Sequence, residues 1–187
     1  FAVNGKRVFL LGGNWIATDQ LLRFAGDASR YTAEVGFHAD MGLNMLRVWG
    51  GALAERPEFY DAADARGVLV WQEFWMTGDN NGRWAGNYSW PLDHAAYLAN
   101  ARDTVLLLRP HASLALWVGG NELYPAGFNP GAAVASGLRA MLRELDPTRF
   151  YIPSSMSNHT AYDPDYAMAP KDGPYGLLDL RQYFERN

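Results

Sequence analysis

Short apolar segments alternate with longer helix-like segments along the sequence, and this alternation constrains the fold more than any other feature. Five strands are predicted. The first reaches Leu11 after an Asn4-Gly5 turn and ends at Gly12-Gly13-Asn14-Trp15. The other four are predicted over Asn44–Trp49, Val68–Gln72, Leu114–Val118 and Phe150–Ile152. Start and stop signals predict helices near Ser29 to Met41, from Pro57 to before Gly67, over Asp93–Leu108 and from Asn129-Pro130 to about Asp146.

Strand and helix in strict alternation imply parallel strands that are joined by helical crossovers. Two α/β architectures fit this pattern, a doubly wound open sheet and a (β/α)8 TIM barrel. The Rossmann type of open sheet needs a glycine-rich fingerprint after its first strand. Gly12-Gly13-Asn14-Trp15 does not match it, and the bulky Trp15 stands where a phosphate would have to approach the backbone. The sequence therefore favours the barrel.

The spacing of the strands predicts how much of a barrel the chain contains. Successive strands recur about every 35 residues, so eight units would need about 280, close to the roughly 250 of a typical barrel. We therefore expect residues 1–187 to form about the first five βα units of a single catalytic domain. The last barrel units and any flanking domains are expected to lie outside this chain.

Composition limits the partners that the chain can have. The net charge is −4 and no Lys/Arg run occurs, which argues against nucleic acid and anionic membranes. No stretch approaches the roughly 20 apolar residues that span a bilayer. There is no cysteine, and the turn in FAVNGKRVFL is unlike a signal peptide. The compartment stays open: a periplasmic, secreted or lysosome- or vacuole-like location is compatible with the sequence.

Polar and aromatic side chains cluster where the predicted strands end. The active sites of parallel barrels lie at the carboxyl ends of the strands, so these residues are expected to share one site. In chain order they are Asn14, Trp15 and Asp19, then Arg47 and Trp49, then Glu73 and Trp75, and finally Asn121 and Glu122.

Glu122 is the strongest single candidate for catalysis. It follows the apolar strand Leu114–Val118, two glycines allow the backbone to bend, and Asn121 places an amide beside the carboxylate. A glutamate in a partly desolvated pocket walled by aromatic rings holds its proton more readily, which suits a general acid. The alternative is an ordinary solvated loop glutamate.

Arg47 lies within the apolar run MLRVW, where a lone guanidinium is costly to bury. We therefore expect it to pair with a carboxylate, either as a structural ion pair or as a group that orients a catalytic residue. Glu73 is a candidate for a second catalytic carboxylate or for an acceptor of sugar hydroxyl groups.

Other chemistries find no support in the sequence. The four histidines have no paired ligand spacing, and in Thr77–Arg83 the acceptors do not follow a calcium-loop pattern, so no metal or cofactor is assigned. No G-x-S-x-G nucleophile motif occurs, so the sequence gives no support for an α/β-hydrolase.

Three segments resemble glycoside hydrolase family 2. They are NMLRVWGGALAERPEFYDAAD, VLVWQEFWMTGDNNGR and PLDHAAYLANARDTVLLLRPHASLALWVGGNE. The resemblance covers nearly the whole chain and is strongest to the branch of mannosylglycoprotein endo-β-mannosidases, beside the β-mannosidases and exo-β-glucosaminidases.

The resemblance implies a fold, an activity and residue roles. Enzymes of this family are retaining hydrolases in which β-sandwich domains precede the barrel. By that likeness Glu122 is the acid/base, Asn121 binds the sugar 2-hydroxyl and Arg47 supports the nucleophile. Trp15, Trp49 and Trp75 would line the subsites, with Asp19, Glu73 and Asp79 as partners of sugar hydroxyls. The substrate would be a β-mannoside on an oligosaccharide or glycoprotein glycan.

One expected residue is missing from the pattern. The family's nucleophile is a glutamate after strand seven, which is expected to lie outside this chain. Glu144 falls in a predicted helix and Glu185 in the terminal segment, so neither replaces it. The fragment alone is therefore expected to be inactive. Two alternatives remain: an exo-β-glucosaminidase, and a non-catalytic carbohydrate-binding module if 187 residues is the natural length.

Overall fold

The computed structural model of the chain describes residues 1–19, 21, 28–78, 91–123 and 132–155. These residues form seven strands and four α-helices. Three strands come first, and from the third strand onward helix and strand alternate. The strands are β1 Ala2–Val3, β2 Lys6–Arg7, β3 Gly12–Trp15, β4 Met45–Val48, β5 Leu69–Glu73, β6 Leu114–Val118 and β7 Phe150–Ile152. The helices are α1 Ala28–Asp40, α2 Pro57–Arg66, α3 His94–Leu108 and α4 Ala132–Leu145.

Strands β1 and β2 form the predicted hairpin. They pair antiparallel, and Asn4 and Gly5 between them have φ values of 50° and 77°. Positive φ at both central residues is what a two-residue hairpin turn of the mirror-image type requires, and Asn-Gly adopts it readily.

The remaining five strands form one sheet in the sequential order β3-β4-β5-β6-β7, and every neighbouring pair is parallel. This confirms the α/β class and the parallel sheet predicted from the alternating pattern. Strands β6 and β7 match their predicted bounds, because each is a short apolar run between turn signals.

The first strand of the sheet was placed too early by the sequence pattern. The strand is Gly12–Trp15 itself and not the apolar run before it. A Cβ on Gly12 would lie 2.2 Å from the carbonyl oxygen of Met45, so a glycine is required for β3 to approach β4. The glycines that were predicted to end the strand are therefore part of it, and Gly12 is needed where β3 lies close to β4.

Local signals explain where the helices begin and end. In α2, Pro57 lies in the first turn, and Gly67 closes the helix in the left-handed conformation with φ of 66°. In α3, the side chain of Asp93 accepts a hydrogen bond from the backbone N–H of Ala96 at 2.9 Å. Of the helices in the described ranges, none combines the length and apolar character needed to cross a bilayer.

The two faces of the sheet have different surroundings. One face packs on all four helices in a core that includes Leu46, Val70 and Trp117. The other face carries a smaller apolar cluster built from strand residues, with Met45, Leu116 and Val118 among them. We call the face that carries this smaller cluster the inner face. Successive residues of a strand point to opposite faces, so Arg47 lies on the inner face and Leu46 and Val48 on the helix-covered face.

Candidate active site

Arg47 is the centre of a polar cluster on the inner face. Its Nε donates to Oε1 of Glu73 at 2.8 Å, and the Glu73 side chain has no exposed surface whereas that of Arg47 is 22% exposed. Both residues project from adjacent parallel strands, β4 and β5. The expected pairing of Arg47 with a carboxylate is thus confirmed, and Glu73 is the partner.

Protein donors surround the carboxylate of Glu73. Oε1 accepts from Arg47 and from Nε1 of Trp71 at 3.2 Å, and Oε2 accepts from the backbone N–H of Gly50 at 2.7 Å. Burial raises the pKa of Glu73, and the Arg47 guanidinium and these donors oppose the rise. The carboxylate is fully covered in this structure, and its bonds anchor Arg47. The prediction of a second catalytic carboxylate or a hydroxyl acceptor at Glu73 therefore has no support from this geometry.

Two asparagines complete the contacts of the guanidinium. Arg47 Nη1 donates to Oδ1 of Asn14 at 3.0 Å, and Nη2 donates to Oδ1 of Asn121 at 2.5 Å. Each of the three guanidinium nitrogens thus has its own acceptor on a different strand or loop. A planar group with fixed donor directions is suited to hold three chain segments in register, which an ammonium group cannot do.

Asn14 was expected in the group of polar residues at the strand ends, but the sequence assigned it no role. It pairs with Arg47 in the register of β3 and β4. Asn14 and Trp15 are adjacent in one strand, so they point to opposite faces, and only one of them can share the face of Arg47.

Trp15 is the residue that lies on the other face. Its ring is 5% exposed and packs 4.8 Å from the ring of Phe59, and its Nε1 donates to the buried carboxylate of Glu55 at 2.9 Å. Tyr31 donates to the other oxygen of Glu55 at 2.6 Å. The expectation that Trp15 lines a sugar subsite is therefore corrected: Trp15 is part of the core between the sheet and its helices.

The other two tryptophans assigned to the site are partly exposed. Trp49 follows β4, and its ring covers Gly51 so closely that a Cβ on this glycine would overlap it. Trp75 follows β5 and packs against Tyr97 with ring centroids 5.8 Å apart. Both tryptophans follow the carboxyl ends of their strands, and Trp75 also packs against the helix-covered core. Their part in sugar binding stays a prediction.

Asp19 and Asp79 were the two aspartates predicted to bind sugar hydroxyls. Asp19 accepts from the backbone N–H of Leu21 at 2.8 Å and lies 3.8 Å from the guanidinium of Arg30, which directs it towards α1. Its part in sugar binding stays a prediction without support from this geometry. Asp79 lies outside the described residues.

The loop after β6 is held against the loop after β5. The N–H of Asn121 donates to the carbonyl of Met76, and the N–H of Gly78 donates to the carbonyl of Asn121, both at 2.9 Å. A Cβ on Gly119 would lie 2.2 Å from the carbonyl oxygen of Pro153, so the first glycine allows a close approach to the segment after β7. These contacts fix the position of Asn121 and direct its side chain to Arg47.

Glu122 occupies a strained position in this loop. It has a φ of 48°, a left-handed conformation that costs a non-glycine residue about 1–2 kcal/mol. Its backbone N–H donates to Oγ of Ser155 at 3.0 Å, and its side chain is partly exposed. Such strain persists only where surrounding contacts hold it, and it concentrates at functional sites. Glu122 thus lies in the loop that follows β6, one residue after Asn121 of the Arg47 cluster.

A second group of ionisable residues lies far from this site along the strands. Asp61, Asp64 and His111 have oxygen and nitrogen atoms within 4.8 Å of one another, beside the beginning of β6. Asp64 accepts from Nδ1 of His111 at 2.8 Å and from the N–H of Ser113 at 2.6 Å. Partial burial opposes ionisation of Asp64, but the hydrogen bonds from Ser113 and the contact with His111 outweigh it and lower its pKa. These bonds give the group a structural role, because they join α2 to the segment that precedes β6.

The chain is similar in sequence to known glycosidases. The chain is 47% identical, over 99% of its length, to mannosylglycoprotein endo-beta-mannosidase of Lilium longiflorum. It is 38% identical over 66% of its length to beta-mannosidase B of Thermothelomyces thermophilus. The chain is thus similar to a segment of proteins named as endo-beta-mannosidase and beta-mannosidase. No protein-family profile matches it.

Solved structures of two glycosidases superpose on most of this chain. The beta-D-mannosidase of Dictyoglomus thermophilum superposes with a TM-score of 0.63 at 30% identity, over 81% of this chain. The exo-chitosanase of Amycolatopsis orientalis superposes with a TM-score of 0.68 at 25% identity, over 83% of this chain. The chain spans only about a fifth of these proteins, 21% of the lily enzyme and 19% and 18% of the two solved chains.

Proposed function

We propose that the chain forms the first five βα units of a (β/α)8 barrel. The sequential strand order and the location of all four described helices on one face support this, because a doubly wound sheet carries helices on both faces. The inner face would then be the barrel interior, with the Arg47 cluster near its carboxyl end. The later barrel units and the preceding β-sandwich domains, which would be partners of this segment, belong to the same proposal.

We further propose that the protein hydrolyses β-mannosidic bonds and that Glu122 is its general acid/base. The single observation that carries this is the bond between Arg47 and Asn121, because it fixes the residue beside Glu122 over the inner face of the sheet. A partly exposed carboxylate in that place can reach a glycosidic oxygen. Glu122 would protonate the departing oxygen and then take a proton from the attacking water.

Asn121 is suited to hold the sugar. Arg47 can only donate, so the oxygen of the Asn121 amide must face the guanidinium. The amide NH₂ is then the group that Asn121 offers to a ligand, and it can donate to the oxygen of the sugar 2-hydroxyl. Trp49 and Trp75 are proposed as walls of the sugar site, since aromatic rings pack against the apolar faces of sugars.

A retaining mechanism needs a second carboxylate about 5–5.5 Å from the first. Glu73 is fully covered and holds Arg47, so it does not serve as the nucleophile. We propose that the nucleophile is a glutamate outside residues 1–187, brought to the opposite side of the sugar by a later barrel strand.

The proposed substrate is the Manβ1-4GlcNAc linkage in the core of an N-glycan, by analogy with the name of the lily relative. An exo-β-glucosaminidase is the second candidate, and the superposition on an exo-chitosanase at a TM-score of 0.68 favours it. A carbohydrate-binding module without catalysis is the third reading, and only turnover separates it from the first two.

The test is to express the full reading frame and to assay it on 4-nitrophenyl β-mannoside, on a mannosylated N-glycan core and on 4-nitrophenyl β-glucosaminide. Hydrolysis of the first two and loss of activity in Glu122→Gln are expected. Glu144→Gln is the matched control, because Glu144 is an exposed helical glutamate paired with Arg102, and it should retain full activity.

Preference for the glucosaminide would overturn the mannosidase assignment in favour of the second candidate. Binding of mannosides in calorimetry without any turnover would favour the binding module and contradict the enzymatic proposal.

A further inference from the structure

Two serines that follow β7 contact the strained loop at Glu122. The Oγ of Ser155 accepts from the N–H of Glu122, and the Oγ of Ser154 accepts from the N–H of Leu123, each at 3.0 Å. The backbone N–H of Ser155 also donates to the carbonyl of Gly120 at 3.0 Å. Consecutive hydroxyl groups thus hold consecutive amides of the loop.

Both serines are buried. Ser154 has no exposed surface and Ser155 is 8% exposed, so water cannot easily replace them as acceptors for these two amides. Left-handed backbone at a non-glycine residue relaxes when its hydrogen bonds are lost. Without the serine at 155, we expect the segment around Glu122 to move towards an ordinary backbone conformation and to carry its carboxylate away.

Ser155 also contacts the amide that Arg47 orients. Its Oγ lies 3.5 Å from Oδ1 of Asn121, the same oxygen that accepts from Nη2 of Arg47. Since the Ser155 oxygen accepts from the Glu122 N–H, its own hydrogen is available for Asn121. One hydroxyl group therefore joins the backbone of Glu122 to the side chain of Asn121.

We propose that Ser155 is a positioning residue for Glu122, with Ser154 supporting it, and that it sets where the acid/base carboxylate lies relative to the glycosidic oxygen. This inference rests on the proposed function of Glu122. The hydroxyl of Ser155 contacts the backbone of Glu122 and the side chain of Asn121, so its effect should pass through the geometry of proton transfer. Misplacement of a catalytic group by about 1 Å costs up to about 100-fold in rate.

The experiment compares Ser155→Ala with Ser155→Thr in the full-length protein. Ser155→Ala should lower kcat by about 10–100-fold on a β-mannoside with a poor leaving group, with little change in KM and a smaller loss on 2,4-dinitrophenyl β-mannoside. Ser155→Thr keeps the hydroxyl and should restore most of kcat. A merely structural defect would lower kcat equally on both substrates.

A second measurement does not depend on turnover. Amide hydrogen exchange should accelerate at Glu122 in Ser155→Ala and at Leu123 in Ser154→Ala. Ser136→Ala is the control, because the Ser136 hydroxyl contacts only the carbonyl of Ala133 within an exposed turn of α4 in the described structure. If Ser155→Ala does not fold, the near-isosteric Ser155→Cys, a weaker acceptor, takes its place in both measurements.

Unchanged exchange at Glu122 together with an unchanged ratio of the two leaving groups would overturn the positioning role. If the wild-type protein hydrolyses no β-mannoside, the proposed function fails. The exchange at Glu122 alone then decides whether the serines hold the loop, so unchanged exchange would still overturn the inference.

Discussion

The Nη2 group of Arg47 donates to Oδ1 of Asn121 at 2.5 Å, although 74 residues separate the two in the sequence. The same guanidinium binds Glu73 and Asn14. Three residues on three other chain segments are therefore held by one side chain. The proposed acid/base, Glu122, follows directly after one of them, which makes the stability of the sheet and the geometry of the site depend on the same residue.

Replacing Arg47 with methionine should destabilise the protein by about 3–5 kcal/mol, because it leaves the carboxylate of Glu73 buried without its cation. The double variant Arg47→Met, Glu73→Leu should recover part of that loss, since it removes both charges. The measurement is the free energy of unfolding in urea. Arg102→Ala is the control: its pair with Glu144 is exposed and should contribute about 0.5 kcal/mol or less. A loss for Arg47→Met as small as that of the control would contradict a buried ion pair.

Alanine at Gly12 should destabilise the protein by about 1–3 kcal/mol, because its Cβ would meet the carbonyl oxygen of Met45 at 2.2 Å. Alanine at Gly13 has open space around its Cβ and should change stability by about 0.5 kcal/mol or less. Thermal unfolding of the two variants provides a matched comparison one residue apart. Equal stability would show that β3 does not approach β4 as closely as described.

Tyr60 should make the protein sensitive to alkaline pH. Burial raises the pKa of Tyr60, whose hydroxyl donates to Oε1 of Gln72 at 2.5 Å. The folded chain keeps the proton where the unfolded chain loses it, so this contribution is complete below about pH 10 and falls as pH rises further. The advantage of wild type over Tyr60→Phe should be constant from pH 6 to 9. It should then shrink by about 1.4 kcal/mol per pH unit.

Urea titrations followed by tryptophan fluorescence between pH 6 and 11 measure this difference. A wild-type advantage that stays constant above pH 10 would mean that the Tyr60 hydroxyl ionises as easily in the folded chain as in the unfolded one.

The elements of the fold were largely predictable because their signals are local. Pro57 and Gly67 bound α2 through their own φ preferences, and the apolar run Leu114–Val118 became β6. Strand β3 was misplaced because glycines lack the apolar signature of a buried strand. The space that makes Gly12 necessary belongs to β4, which lies more than thirty residues away.

The site was only partly predictable, since its contacts join distant segments. The cost of burying a guanidinium predicted a carboxylate partner for Arg47, but not that Glu73 would be that partner or would be covered completely. Trp15 was assigned by its place at a strand end, whereas the alternation of side chains sends it to the helix-covered face. No pattern in the sequence indicates that Ser155 meets Glu122, because loop conformation sets that contact.

The central claim is that Glu122 gives a proton to the departing sugar oxygen. The most direct test is the effect of Glu122→Gln on kcat/KM for a series of β-mannosides with leaving groups of increasing pKa. Activity on the most activated aryl mannoside should fall less than tenfold, and activity on a poor leaving group should fall by about 10²–10⁴-fold, since only the latter needs an acid. A loss that is the same for every leaving group, or no loss on the poor ones, would contradict the account.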